Sequence, residues 1–276
     1  MREVLGGMHS LAGALWLYRA RPPSETTHSH DELEFNLVVR GEVSYLVDGR
    51  RYDLQRRSLL WLFPAHEHLL VRPSPDTSMW IGVLGRPALA GLSRRLAATL
   101  GAERPAGAIH RRLDPAAAHW LHQLATALER LSAPPHRPDS DAFATGLLHL
   151  TASAWDAFTA AADPEPGAAL HPAVAEAMRL LDAGDERPLP LLARVVGLER
   201  SVLSRRFRRD TGLTLAEYRI RCRLERYTAL ADGRRTLLDA ALAAGFGSYA
   251  QFHRVFRRVH GRSPREAQAA ALTHRS

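Results

Sequence analysis

Arg205, Phe207, Arg208, Arg209 and Gly212 return 49 positions later as Arg254, Phe256, Arg257, Arg258 and Gly261. The shared frame is R-x-F-R-R-x-x-G, and it extends outward, with Leu203 matching Phe252 and Thr214 matching Ser263. A guanidinium presents a rigid fork of donors that can grip a phosphate or the edge of a guanine through two bonds at once. The phenylalanines sit where an apolar anchor would seat the helix that carries those forks. A repeat of this length is one supersecondary unit used twice. The chemistry it offers is docking on a polyanion.

The charge distribution agrees with that chemistry. The formal net charge is +8, and residues 171–276 hold 20 Arg against 11 acidic residues, a net of +9. Residues 1–170 hold 17 Arg against 18 acidic residues, a net of −1, so the basic excess lies wholly beside the repeat. One region therefore expects a phosphate-rich partner and the other does not. All 37 basic residues are arginine, a bias that a GC-rich coding sequence also produces, along with abundant alanine. Apolar residues at 46% and charged residues at 24% are those of a globular chain. The single cysteine, Cys222, cannot form an intrachain disulfide, which fits a reducing cytoplasm. There is no signal-peptide pattern and no apolar run near membrane-spanning length, so a cytoplasmic protein without a membrane partner is expected.

Each copy of the repeat must be held by a helix that crosses behind it. Leu191 to Leu198 and Leu238 to Phe246 read as short helices that end in the tight turns of Gly197 and Gly245. Small residues such as Ala193 and Ala241 permit a close helix crossing. These are two helix-turn-helix units, whose second helix enters the major groove. The exposed N-terminal faces of those helices carry Ser201, Ser204 and Arg205 in the first, and Tyr249, Gln251, His253 and Arg254 in the second. Arg205 and Arg254 are placed to fork onto guanine. Arg208, Arg209, Arg257 and Arg258 follow one turn later and suit the phosphate backbone. Ser248 is a good N-cap and Glu199 a poorer one.

The stretch from Ala240 to Pro264 resembles the signature of AraC/XylS-type transcriptional regulators. The first copy is similar to that family's less regular first helix-turn-helix, and Tyr218 to Ala231 to the long helix joining the two. The resemblance covers about residues 171–270. It implies two recognition helices in successive major grooves of double-stranded DNA, and it matches the base-reading positions to the seven residues named above. Glu199 departs from the family's usual serine cap.

The N-terminal half has a different cadence. Residues 34–39 alternate before Gly41, and Val43, Tyr45 and Val47 alternate before an Asp48-Gly49 turn, a strong hairpin signal. Leu59 to Phe63 and Trp80 to Leu84 read as further strands of a small antiparallel barrel or sandwich. Helices are then expected over residues 89–100, 115–131 and 141–161, and residues 163–167 have the make-up of a linker. Six helix ends are expected near Gly184, Gly197, Gly212, Gly233, Gly245 and Gly261.

His28, His30 and Glu34, followed six residues later by Gly41, resemble the first cupin motif, and His68 falls on the histidine position of a degraded second motif. On one strand, residues 28, 30 and 34 would share a face pointing into the barrel. Three imidazoles and a carboxylate could hold zinc, iron, nickel or manganese, with His66 in support. The alternatives are polar contacts to an organic ligand or a hydrogen-bonded cluster at the barrel mouth. Trp61 and Trp80 could line the same cavity or pack in the core.

The expected architecture is thus α+β with two domains. Residues 1–162 form a cupin-like antiparallel β-barrel with following helices, 163–170 a linker, and 171–276 an all-α domain of two helix-turn-helix units joined by a long helix. The expected function is a cytoplasmic bacterial transcription regulator whose promoter binding responds to a small-molecule effector or metal. The family resemblance suggests a homodimer surface on helices 115–131 and 141–161, where packing back onto the barrel is the rival. The alternative function is a metal-dependent cupin enzyme with a nucleic-acid-tethering tail.

Overall fold

The computed structural model describes residues 13–19, 27–132, 140–162, 164–231 and 235–273. The chain divides into two compact units, residues 13–19 with 27–169, and residues 170–273. Gly233 and Pro134, Pro135 and Pro138 lie outside the described residues, so the helix end expected at Gly233 has no counterpart to compare.

The first unit is built from β1 (Gly13–Arg19), β2 (Leu33–Arg40), β3 (Val43–Val47), β4 (Arg50–Leu54), β5 (Ser58–Leu62), β6 (His68–Pro73), β7 (Ser78–Leu84), β8 (His110–Arg112) and β9 (Ala168–Ala169). They form two antiparallel sheets, β1-β7-β2-β5-β8 and β6-β3-β4-β9, so the strands do not close into a single ladder. The Asp48-Gly49 hairpin forms as its turn chemistry dictates. Both residues have positive φ, 47° and 70°, the combination a two-residue turn between twisted strands requires. Ala168 and Ala169 pair with β4, and the Arg50 side chain donates to the Gly167 carbonyl at 3.0 Å. The end of the stretch read as a linker, Gly167 to Ala169, is therefore laid along this sheet.

One face of the five-stranded sheet is apolar and covered by helices. Phe35 lies across from Gly82, where an added Cβ would stand 2.2 Å from its ring, so only glycine leaves room for it. Trp61 packs edge-on against Trp155 at 5.5 Å and Phe158 at 6.4 Å, both on α3 (Asp141–Ala160). Trp80 donates its indole N–H to His122 Nδ1, 2.8 Å away on α2 (Pro115–Ser132). Both tryptophans thus pack beneath the helices. The helix expected over residues 89–100 is two pieces, a 3₁₀ turn (Arg86–Gly91) and α1 (Arg94–Leu100). Ser93 interrupts them because its hydroxyl accepts from the Leu96 amide as an N-cap.

The second unit is helical: α4 (Pro172–Asp182), α5 (Leu189–Val195), α6 (Arg200–Thr211), α7 (Leu215–Leu230), α8 (Leu237–Ala243), α9 (Tyr249–His260) and α10 (Pro264–Thr273). Helices α6 and α9 both end on a left-handed glycine, Gly212 at φ 76° and Gly261 at φ 69°. Their apolar faces repeat as well. Leu203 and Phe207 are fully buried, with Phe207 against Tyr218, and Phe252 and Phe256 enclose Tyr227 of α7. Burying one such ring contributes roughly 1.5–3 kcal/mol. Among the described residues no helix is long and apolar enough to cross a membrane.

Candidate functional site

Helices α6 and α9 have the same frame and different entrances. At α9, Ser248 caps the helix by accepting from the Gln251 amide at 3.2 Å. At α6, Glu199 occupies the cap position with no side-chain cap bond. Phe252, Val255 and Phe256 face the core, which leaves Arg254, Arg257 and Arg258 exposed. In α6, Leu203 and Phe207 face inward while Ser201, Arg205, Arg208 and Arg209 are exposed. Ser204 is half-buried and donates to the Arg200 carbonyl at 2.9 Å. Tyr249, Gln251 and His253 are half-buried, and the Gln251 side-chain Oε1 accepts from the Gly247 amide at 3.0 Å. Arg209 is bound to Asp210 at 2.9 Å. Among the described residues, Arg205, Arg208, Arg254 and Arg258 make no ion pair. Unpaired guanidiniums on an exposed helix face are an electrostatic footprint for phosphate and base edges.

The repeat reaches further than the arginines. Thr214 and Glu217 exchange bonds at the start of α7, Thr214 N–H to Glu217 at 2.7 Å and Glu217 N–H to Thr214 at 3.2 Å. Ser263 and Glu266 do the same at the start of α10, at 2.7 Å and 3.3 Å. Both capping boxes were missed in the sequence, although the T-x-x-E and S-x-x-E spacings carry the signal. The joining helix starts at Leu215, three residues before Tyr218, because of this cap.

In the first unit, the buried face between the sheets holds a polar cluster. His30, Glu34 and His68 place one potential ligand atom each within 4.8 Å of one another, all three buried. The expectation that residues 28, 30 and 34 share one strand is corrected: only Glu34 is on β2, and His28 pairs with His68 as an isolated bridge. His28 is not in the close grouping; its ring packs on that of His68 at 4.4 Å between centroids. His66 is committed elsewhere, accepting from the Phe63 amide at 3.2 Å, though its carbonyl meets His68 Nδ1 at 3.1 Å.

The hydrogen bonds set the tautomers. His30 Nδ1 faces the Glu32 carbonyl at 3.1 Å, and His68 Nδ1 faces the His66 carbonyl. Each Nδ1 therefore carries the proton, and a neutral ring turns an Nε2 lone pair inward. Glu34 Oε2 lies 3.2 Å from His30 Nε2, so an acceptor faces an acceptor unless a cation lies between them. A proton satisfies this: burial lowers the His30 pKa, but the contacts with Glu34 and Glu32 together outweigh it and the net shift is upward. Burial raises the Glu34 pKa, and the two histidines with Asn36 bring it below the ordinary value. A divalent ion would satisfy the same donor set. Asn36 donates to Glu34 at 2.7 Å and accepts from Tyr45 at 3.0 Å, which extends the polar chain to the second sheet.

Residues 13–152 match the family model of the AraC-like ligand binding domain, and residues 192–270 match that of a helix-turn-helix domain. No curated protein matches the chain. Among solved structures, the chain is similar to ToxT from Vibrio cholerae, with 12% sequence identity over 93% of this chain and 98% of that one, at a TM-score of 0.35. An AraC-type regulator from Chromobacterium violaceum is 30% identical over 36% of this chain and 90% of that one, at a TM-score of 0.33. The C-terminal domain of AraT from Geobacillus stearothermophilus is 19% identical over 37% and 87%, at a TM-score of 0.35. With a ligand-binding domain followed by a DNA-binding helix-turn-helix domain, the chain belongs to the AraC family of ligand-modulated transcription regulators.

Proposed function

We propose that α6 and α9 read base edges in the major groove through Ser201, Ser204, Arg205, Tyr249, Gln251, His253 and Arg254, while Arg208, Arg209, Arg257 and Arg258 bind phosphates. The observation that carries this reading is the set of exposed guanidiniums without ion pairs, backed by buried phenylalanines that fix which face is outward. A genome-wide pull-down of bound fragments at physiological salt tests it. Recovery of one recurrent site is the expected result, and the absence of any enriched sequence overturns it.

The effector site of this reading is the polar cluster of the first unit, where a small organic ligand or a divalent zinc, iron, nickel or manganese ion biases promoter binding. His30, Glu34 and His68 fit such an ion by donor type and spacing, with His28 adjoining. The ion would supply a fixed positive charge between two inward lone pairs and a carboxylate. Metal analysis after non-chelating purification decides between ion and organic ligand; less than about a tenth of an equivalent excludes the ion. The role is regulatory and not catalytic, the protein acts in the bacterial cytoplasm, and a second copy of the chain docks through α2 and α3, where Trp120 is 55% exposed.

A further inference from the structure

A pocket of about 350 Å³ opens on the helix-covered side of the five-stranded sheet. Glu34 and Asn36 point to the other side, since Leu37 and its cross-strand partner Trp80 face α2. Three structural devices converge on the pocket. The end of β2 is irregular between Val38 and Arg40, the turn before β5 supplies Arg56 and Arg57, and Arg112 ends β8 just before α2.

Arg57 holds a left-handed backbone, φ 75°, a conformation that costs a non-glycine residue on the order of 1 kcal/mol and persists only where neighbours enforce it. The enforcement is visible. Its amide donates to the Val38 carbonyl at 2.8 Å, its carbonyl accepts from the Leu113 amide at 3.0 Å, and its guanidinium donates to the Leu113 carbonyl at 3.2 Å. One conformation of Arg57 thus staples β2 to the segment before α2 at the wall of the pocket, which Arg57 lines. Arg56 and Arg112 are exposed and, among the described residues, neither makes an ion pair. The adjacent Asp114 does not neutralise them by contact; its Oδ1 accepts from the Ala116 and Ala117 amides at 2.9 Å and 3.0 Å. His122 Nδ1 is occupied by the Trp80 indole N–H, so a neutral ring carries its proton on Nε2 as a donor. Apart from His119, every polar side chain lining the pocket is a donor.

The charge count narrows the occupant. A lone carboxylate would leave two of three guanidiniums without compensation. A phosphomonoester carries about −1.5 to −2 at neutral pH and three acceptor oxygens, one for each fork, and offsets more of their charge than a carboxylate can. The rest of the lining, Val39, Pro115 and Ala118, is apolar and suits an uncharged body. We propose that this pocket binds a small organic phosphomonoester, its phosphate on Arg56, Arg57 and Arg112 and its apolar body against Val39, Pro115 and Ala118. The proposal is independent of the polar cluster and of the base-reading assignment.

Titration calorimetry of the full chain tests it, with phenyl phosphate as the probe and inorganic phosphate, benzoate and a short DNA duplex as comparators. Phenyl phosphate should bind below about 1 mM and at least about tenfold more tightly than phosphate or benzoate. The double variant Arg56→Gln/Arg112→Gln should lose at least about tenfold in that affinity with an unchanged melting temperature, because both side chains are exposed and unbonded. Silence with phenyl phosphate up to about 1 mM overturns the proposal. So does equal binding of inorganic phosphate, which would mark a bare ion site. A uniform loss of duplex affinity in the double variant, with phenyl phosphate binding intact, would reassign these arginines to the DNA backbone and overturns it too.

Discussion

Gly245 in the turn of the second helix-turn-helix lies directly against Glu186 in the connection that leads into the first. A Cβ on Gly245 would stand 2.7 Å from Glu186 Oε1 and 3.3 Å from Arg223 Nε. Glu186 also accepts from Arg223 at 2.5 Å and from Arg226, both on α7, and the Arg223 guanidinium lies over the Phe246 ring at 5.9 Å. Within the helical unit, one carboxylate therefore ties the entrance of the first helix-turn-helix, the joining helix and the turn of the second helix-turn-helix. The contact holds the turn after α8 against the helix that joins the two copies of the repeat.

Gly245→Ala should be destabilising in two ways. The residue has φ 96°, where a side chain is strained, and the new methyl collides with a carboxylate that two arginines hold in place. The cost should be about 1–2 kcal/mol, read as a lower denaturant midpoint. Specific DNA affinity should fall further than stability explains, because the two recognition helices move relative to each other. A variant as stable and as tight-binding as the parent would show that the contact is slack.

Glu186 gives the helical unit a pH dependence of definite sign. Burial raises its pKa, but the hydrogen bonds and charges of Arg223 and Arg226 outweigh that and hold it below the ordinary carboxylate value of 4.5. A depressed pKa contributes stability that is complete above 4.5 and fades as pH falls through the folded-state value. Glu186→Gln should thus lower stability at neutral pH and flatten the acid limb below pH 4.5. The effect at neutral pH should be modest, about 1 kcal/mol or less, since the group is partly solvated. Paired urea melts from neutral to acid pH measure it; parallel curves for both proteins would refute the linkage.

The two arginines that open the repeat should not be equal. Arg254→Ala should cost roughly 1–3 kcal/mol on the specific site and relax preference at one base pair, while Arg258→Ala weakens all sequences alike and lowers the salt slope. Arg205→Ala should alter sequence choice less than Arg254→Ala, because its helix lacks a side-chain cap and has a carboxylate, Glu199, at its entrance, which would repel a DNA phosphate there. Binding-site selection on randomised duplexes separates the three variants. Equal, sequence-blind losses at Arg254 and Arg258 would remove Arg254 from base reading.

Features fixed by neighbours in sequence were legible beforehand. The Asp48-Gly49 hairpin, the glycine ends of α6 and α9, and the buried Phe207 and Phe256 all follow from local turn chemistry or helical spacing. The motif spacing carries the trio of His30, Glu34 and His68 but not its strand geometry, since a bend at residues 31–32 separates His30 from β2. Strands β1 and β6 carry no turn-bounded alternation, and their pairing with β7 and β3 is what makes them strands. The Glu186–Gly245 contact and the Arg57 staple join residues 59 and 56 positions apart, so no local pattern announces them. Long-range closure is where sequence reading loses its grip.

The unequal entrances of α6 and α9 lead to a reciprocal pair of substitutions. Ser248→Ala removes a hydroxyl that accepts from the Gln251 amide and leaves an orphan donor at the helix start. That should cost about 1 kcal/mol. Glu199→Ser does the opposite, supplying a short acceptor at a cap position whose backbone is already extended, φ −68° and ψ 147°. It should stabilise the helical unit by roughly 0.5–1 kcal/mol, because the geometry that a serine cap needs is in place. It also removes a carboxylate from the face that approaches phosphate, so DNA affinity should rise for every sequence as well as for the specific site. Thermal melts and duplex titrations on the two variants give both readouts. If Glu199→Ser leaves stability and affinity where they were, the first helix is not limited by its cap, and the asymmetry between the two units lies in the bases that Ser201, Ser204 and Arg205 meet.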